Sequence, residues 1–181
     1  MDSVPSHFEL FDLPVSFEVD TDLLERRYRE LQRSVHPDRF ASAGERERLQ
    51  SVQQATLINE GYRTLKDPLL RGRYLLEQAG YAFDDQHHTT SDAAFLMEQM
   101  ELREALSGVR AADDAFAALG GIMDRIHADL ASLASQLGEQ LADGDSKAQA
   151  AAAQTLVKMQ FFRKLQDEAV ELEVMLEDEM A

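Results

Sequence analysis

The stretch that decides the fold is Ser34-Val35-His36-Pro37-Asp38-Arg39-Phe40. Apolar residues precede it at helical spacing and predict one buried helix face, formed by Leu24, Tyr28, Leu31 and Val35. Pro37 has no backbone N–H to donate and disfavours a helical conformation at His36, so this helix must end here. His36 and Asp38 are therefore expected at an exposed turn between two helices.

A second helix is predicted from about Glu45 to Lys66, ahead of the helix-breaking pair Asp67-Pro68. Two long helices joined by a short loop pack antiparallel to bury both apolar faces, which predicts a helical hairpin. Short flanking helices are expected at residues 8–13 and 68–79, the second capped by Gly80. The inward positions expected on the second long helix are Leu49, Val52, Ala55, Tyr62 and Leu65.

Three more helices are predicted in the second half, at about 91–108, 112–141 and 147–178, with Thr90 or Ser91 capping the first. The middle one repeats apolar residues at steps of three and four, as a heptad-type seam, from Phe116 to Leu141. Facing seams and short turns predict an antiparallel three-helix bundle. Residues 81–90 show no periodicity and are predicted to join two domains, at 1–80 and 91–181. Because no segment of the sequence is convincing as a strand, the chain is predicted to be all-α.

The charge is unevenly distributed, with a net of −16 that divides into −3 over residues 1–80 and −13 over 81–181. Phosphate backbones would repel the second half, which argues against binding of nucleic acid. The absence of cysteine excludes disulfides and fits a reducing compartment. No stretch approaches the ~20 apolar residues of a membrane helix, and the first 13 residues do not read as a signal peptide. A cytoplasmic protein is expected.

The sequence offers no catalytic constellation. It lacks a glycine-rich phosphate-binding loop and a cysteine nucleophile. His87-His88 is accompanied by no third ligand at a convincing spacing, so no metal site is predicted. Neither an enzyme nor a cofactor is expected.

The helix near residue 100 carries two apolar faces. At about 100° per residue, Phe95, Leu102 and Leu106 share the face expected to lie in the bundle core. A second stripe, pointing largely away from the core, consists of Leu96, Met97 and Met100. A bundle helix needs only one such face. The second stripe therefore packs on the N-terminal domain, packs on a neighbouring helix, or is an exposed binding patch rimmed by Glu101 and Glu104.

Two motifs resemble known proteins. The order helix, His-Pro-Asp, helix, followed by Ile58-Asn59-Glu60-Gly61-Tyr62-Arg63-Thr64-Leu65, resembles the J-domain of co-chaperones that stimulate heat-shock-type ATPases. The segment from Phe95 to Glu104, read as FLMEQMELRE, is similar to the signature of one J-protein family, the iron–sulfur cluster assembly co-chaperone HscB. Met100 departs from the leucine usual there, a conservative change. Together the motifs cover nearly the whole chain.

The resemblance implies two partners. An HscA-type chaperone ATPase is expected to contact His36, Pro37 and Asp38. It is also expected to contact the basic face of the preceding helix, which consists of Arg26, Arg27, Arg29 and Arg33. Without such a partner, this basic face would be only a solvated surface. An IscU-type iron–sulfur scaffold is expected to bind Leu96, Met97, Met100, Glu101, Glu104 and Phe161. The protein would stimulate the chaperone and deliver the scaffold to it. The alternative is a J-protein that holds a different client through its acidic bundle.

Overall fold

In the computed structural model, the described residues are 5–36, 44–81, 83, 90 and 92–180. They contain no strand, and none of their helices is long and apolar enough to span a membrane. The all-α prediction is therefore confirmed. The helices are α1 (His7–Leu10), α2 (Thr21–Ser34), α3 (Glu45–Lys66), α4 (Pro68–Gln78), α5 (Ala93–Gly108), α6 (Ala115–Asp143) and α7 (Ser146–Met180), with a 3-10 turn at Val109–Ala111.

The chain divides into two compact units, Met1–Leu75 and Leu76–Ala181, and the division falls within α4. The segment expected to separate the domains, residues 81–90, lies largely outside the described residues. The domain limits at 80 and 91 therefore stay a prediction.

The first unit is built on the α2–α3 hairpin. The stripe predicted on α2 faces inward, with Leu24 and Val35 buried and packed with Ile58 and Leu65 of α3. The rings of Tyr28 and Tyr62 stack across the hairpin with centroids 3.9 Å apart. Polar side chains join the same two helices, since Tyr28 and Gln32 both donate to the Asn59 side-chain oxygen at 3.0 Å. These contacts fix α2 against α3.

The inward face predicted for α3 is partly wrong. Leu49 and Val52 are 58% and 56% exposed, whereas Ser51 and Gly61 are buried in line with Ile58 and Leu65. The C-terminal end of α2 lies opposite Ser51, because the Ser51 hydroxyl donates to the Val35 carbonyl at 2.7 Å. The first turns of α3 therefore extend past the end of α2, and α2 does not cover Leu49.

Gly61 allows α1 to approach α3 closely. A Cβ at this position would lie 3.0 Å from Cε2 of Phe11 and 3.1 Å from Nδ1 of His7. The short α1 is held by reciprocal capping bonds between Ser6 and Glu9. Burial lowers the pKa of His7, whose ring stacks on Tyr74 at 4.5 Å. The glycine of the sequence motif is thus explained by packing.

The second unit is an antiparallel bundle of α5, α6 and α7, as predicted. The α6–α7 hairpin turns at Gly144, which has a φ of 66°, a conformation that favours glycine. Helix α6 begins later than expected, after the Asp114 cap, and Phe116 at its start is exposed. The buried core consists of Phe95, Leu102, Leu106, Val109, Leu119, Ile126, Phe162, Leu165, Ala169 and Leu176.

Candidate functional site

The basic face of α2 lies mostly in solvent. Arg26, Arg29 and Arg33 are exposed, and Arg29 pairs with Glu25 one turn earlier at 2.5 Å. Exposed ion pairs of this kind contribute little to stability, about 0–1 kcal/mol, so the charge of Arg29 can be transferred to a partner at small cost. Arg27 differs, because it is partly buried and pairs with Asp12 at 3.0 Å.

His36 lies just beyond the end of α2. The helix ends at Ser34, Val35 is buried as its cap, and His36 is exposed. The predicted contact residues Pro37 and Asp38 lie outside the described residues. The expectation of an exposed histidine immediately after the basic helix is therefore confirmed for His36 alone.

The second stripe of α5 is exposed. Leu96, Met97 and Met100 are 42%, 64% and 73% exposed. The other face is buried, with Phe95, Leu102 and Leu106 at 5%, 1% and 8%. Of the three arrangements that the sequence left open, the second unit therefore does not show packing of the stripe on a neighbouring bundle helix. We call Leu96, Met97 and Met100 the α5 stripe.

Acidic side chains flank the α5 stripe, and an aromatic ring of α7 packs on Phe95 of the same helix. Glu101 and Glu104 are exposed on α5, as expected for a polar rim. Phe161 of α7 is partly buried, and its ring meets those of Phe95 and Phe162 edge-on at centroid distances of 5.6 and 5.5 Å. One aromatic side chain from α7 thus packs against α5 and keeps part of its surface in water.

Sequence reasoning missed Arg103. Its guanidinium lies 5.8 Å from the centroid of the Phe161 ring and 3.6 Å from the Glu168 carboxylate. It is the one basic residue in the sequence of α5, three positions after Met100 and therefore on a neighbouring part of the helix surface. Its place within the quoted FLMEQMELRE segment was the available signal, but only the structure connects it with Phe161.

The start of α5 is held by an ion pair to α7. Asp92, rather than the predicted Thr90 or Ser91, caps the helix by accepting from the Phe95 N–H. Lys158 of α7 donates to the Asp92 carboxylate at 2.7 Å. These two hydrogen bonds lower the pKa of Asp92, and the bond from Lys158 has the larger effect. The contacts fix the rotation of α5 and hence the direction of the α5 stripe.

A metal site is not evident in the part of the chain that the structure describes, where no group of three His, Cys, Asp or Glu side chains is arranged to hold an ion. His87-His88 lies outside that part.

Comparisons with known proteins identify the family. Residues 91–170 match the family model described as the HSCB C-terminal oligomerisation domain. The curated co-chaperone protein HscB homolog of Shewanella oneidensis is 43% identical, over 96% of this chain and 99% of that protein. The chain belongs to the HscB family of co-chaperones. This confirms the resemblance drawn from the two sequence motifs.

Solved HscB structures share the fold. Chaperone HscB from Vibrio cholerae is 44% identical and superposes with a TM-score of 0.81, over 95% of this chain and 99% of that one. Human co-chaperone HscB is 31% identical, with a TM-score of 0.82, over 96% of this chain and 85% of that one. The predicted architecture, a J-domain followed by a helical C-terminal domain, is that of the family.

Proposed function

We propose that this HscB-family co-chaperone stimulates the ATPase of an HscA-type chaperone and delivers an IscU-type scaffold to it, in support of iron–sulfur protein maturation in the cytoplasm. The observation that carries the proposal is the interleaving on α5 of buried core residues with the exposed α5 stripe. Exposed apolar patches mark interaction sites, and methionine suits surfaces that adapt to a partner.

The chaperone end of the proposal rests on the first unit. An exposed His36 follows directly on the exposed arginines of α2, and the sequence continues with Pro37-Asp38. Basic side chains of this kind steer association with an acidic partner surface. In this proposal the residues act by contact on the chaperone, which holds and hydrolyses the ATP, and the co-chaperone is not itself an enzyme. Arg27 belongs to the same proposed contact, and it is partly buried and paired with Asp12.

The scaffold end rests on the second unit. The α5 stripe supplies the apolar centre of the contact, with Glu101 and Glu104 at its rim. Phe161, which packs on Phe95 of the same helix, adds an aromatic ring from α7. Apolar anchors surrounded by polar groups are typical of protein interfaces. Joining both contacts in one chain raises the effective concentration of scaffold near the chaperone.

Two other binding partners for the α5 stripe are suggested by specific observations. The net charge of −13 over residues 81–181 would also suit a different, basic client. A second copy of the chain is a further candidate, because the matching family model is described as an oligomerisation domain. Pull-down against the purified scaffold, combined with sedimentation of the co-chaperone alone, separates these outcomes.

The decisive experiment changes the proposed chaperone contact and leaves the proposed scaffold contact intact. His36→Gln should abolish stimulation of the chaperone ATPase, since a contact residue is lost, while stability changes by no more than about 0.5 kcal/mol. Scaffold binding by the same variant is the control and should be unchanged. Unfolding of His36→Gln at much lower denaturant, or undiminished stimulation, would refute the proposed role of this residue.

A further inference from the structure

The last carbonyl groups of α2 need partners outside the helix. A helix leaves its final four C=O groups without intrahelical donors, and Pro37 prevents α2 from continuing. Val35 caps α2 and is 6% exposed, so water does not readily reach it. Its carbonyl accepts a hydrogen bond of 2.7 Å from the Ser51 hydroxyl, which comes from the neighbouring helix α3.

Ser51 occupies a position that packing alone would give to an apolar side chain. It lies seven residues before Ile58 and fourteen before Leu65, on the face of α3 that is turned toward α2, and is 3% exposed. Serine and threonine within helices commonly donate to the carbonyl one turn earlier in their own helix. Thr56 of α3 does so, bonding the Val52 carbonyl at 3.0 Å. Ser51 instead donates across the hairpin.

We propose that Ser51 is a positioning residue for His36, an inference that rests on the proposed chaperone contact. The peptide group that joins Val35 to His36 is planar, so its carbonyl oxygen, its nitrogen and the His36 Cα move together. Holding the carbonyl from the buried side therefore fixes where the exposed His36 begins. His36 then has less backbone freedom to lose when the chaperone binds.

Loss of the Ser51 hydroxyl should weaken binding to the chaperone and leave the stimulated rate of ATP hydrolysis unchanged. Ser51→Ala should raise the co-chaperone concentration that gives half-maximal stimulation of the chaperone ATPase by about five- to thirtyfold, the equivalent of ordering one residue's backbone. The rate at saturating co-chaperone should not change. Ser51→Thr retains a hydroxyl, so its half-maximal concentration should lie closer to the wild-type value than that of Ser51→Ala.

Ile58→Val is the matched control. It removes one methylene from the same buried face of the same helix and leaves the Val35 carbonyl bonded. Both Ser51→Ala and Ile58→Val should lower the melting temperature by a few degrees. Only Ser51→Ala should shift the half-maximal concentration. Equal half-maximal concentrations for the two variants, or a loss of maximal rate alone in Ser51→Ala, would overturn the inference.

The result for His36→Gln separates this inference from the proposed function. If His36→Gln stimulates normally, the chaperone contact at this residue is wrong, whatever Ser51 does. If His36→Gln is inactive while Ser51→Ala behaves like Ile58→Val, only the positioning role is wrong.

A measurement without the chaperone also tests whether Ser51 positions His36. The NMR order parameter of the His36 amide should fall in Ser51→Ala and not in Ile58→Val, and equal values in the two variants would refute the positioning.

Discussion

Met100 and Leu102 provide a contrast within a single helix. They lie two residues apart on α5 and are 73% and 1% exposed. If the α5 stripe binds a partner, Met100→Ala should weaken that binding and leave folding nearly unchanged. Leu102→Ala should do the opposite, because its side chain fills the bundle core.

The magnitudes follow from the exposures. Burying a whole Met or Leu side chain contributes about 1.5–3 kcal/mol. A partner that covers the 73% of Met100 now in solvent would therefore gain about 1–2 kcal/mol, roughly five- to thirtyfold in Kd. Leu102→Ala should cost about 2–5 kcal/mol of folding stability through the cavity it leaves. Alanine is the better helix former at both positions, so helix propensity does not produce this contrast.

The assay pairs two measurements on each variant: the urea midpoint for unfolding and the Kd for the purified iron–sulfur scaffold by calorimetric titration. Scaffold affinities are compared after correction for any unfolded fraction. The reasoning is refuted if Met100→Ala destabilises the protein as much as Leu102→Ala. It is also refuted if Met100→Ala binds the scaffold with unchanged affinity.

Three further predictions concern the first unit. Arg29→Glu should slow association with the chaperone and alter its salt dependence, as measured by stopped-flow mixing, while scaffold binding persists. Gly61→Ala should cost about 1–3 kcal/mol in urea unfolding, because its Cβ would lie 3.0 Å from the Phe11 ring. Burial lowers the pKa of His7, so the unfolded state binds more protons between that lowered value and about 6.5. The urea midpoint should therefore rise with pH across this range, and less so in His7→Gln.

Each of these three predictions would be contradicted by a specific result. Association at low salt that is equally fast for Arg29→Glu would mean that the α2 face is only solvated. Gly120→Ala is the control for Gly61, since a Cβ at position 120 meets nothing within 4 Å, and it should stabilise the helix by up to about 1 kcal/mol. Equal midpoints for the two glycine variants would remove the packing explanation. For His7, identical pH slopes with and without the histidine would show that other groups cause the dependence.

Local signals predicted the helices well where the chain carries strong stop signals. Helix α3 spans Glu45–Lys66 as expected, because Asp67-Pro68 ends it. The two faces of α5 were also separable by angle, since its apolar residues fall into two groups. The exposure of the second group was not decided by the sequence, because periodicity cannot show whether a neighbouring element covers a face.

The errors have a common cause in contacts between distant residues. The inward face of α3 was misread because Ser51 and Gly61, small residues with little hydrophobic signal, occupy positions that face α2 and α1. The cap of α5 was misplaced because Asp92 is also paired with Lys158, 66 residues away in sequence. Arg103 was missed for the same reason, since Phe161 and Glu168 lie on another helix.

The two-faced α5 also limits how its length can change during evolution. One inserted residue would rotate everything after it by about 100°, turning Met100 and its neighbours out of register with Leu96 while moving Leu102 off the bundle core. Point substitutions alter one face at a time, whereas a single insertion or deletion disturbs both at once. Seven inserted residues would return the rotation to within about 20° of its starting value. Natural variation in this helix should therefore consist of substitutions, with any change in length confined to its ends or to whole heptads.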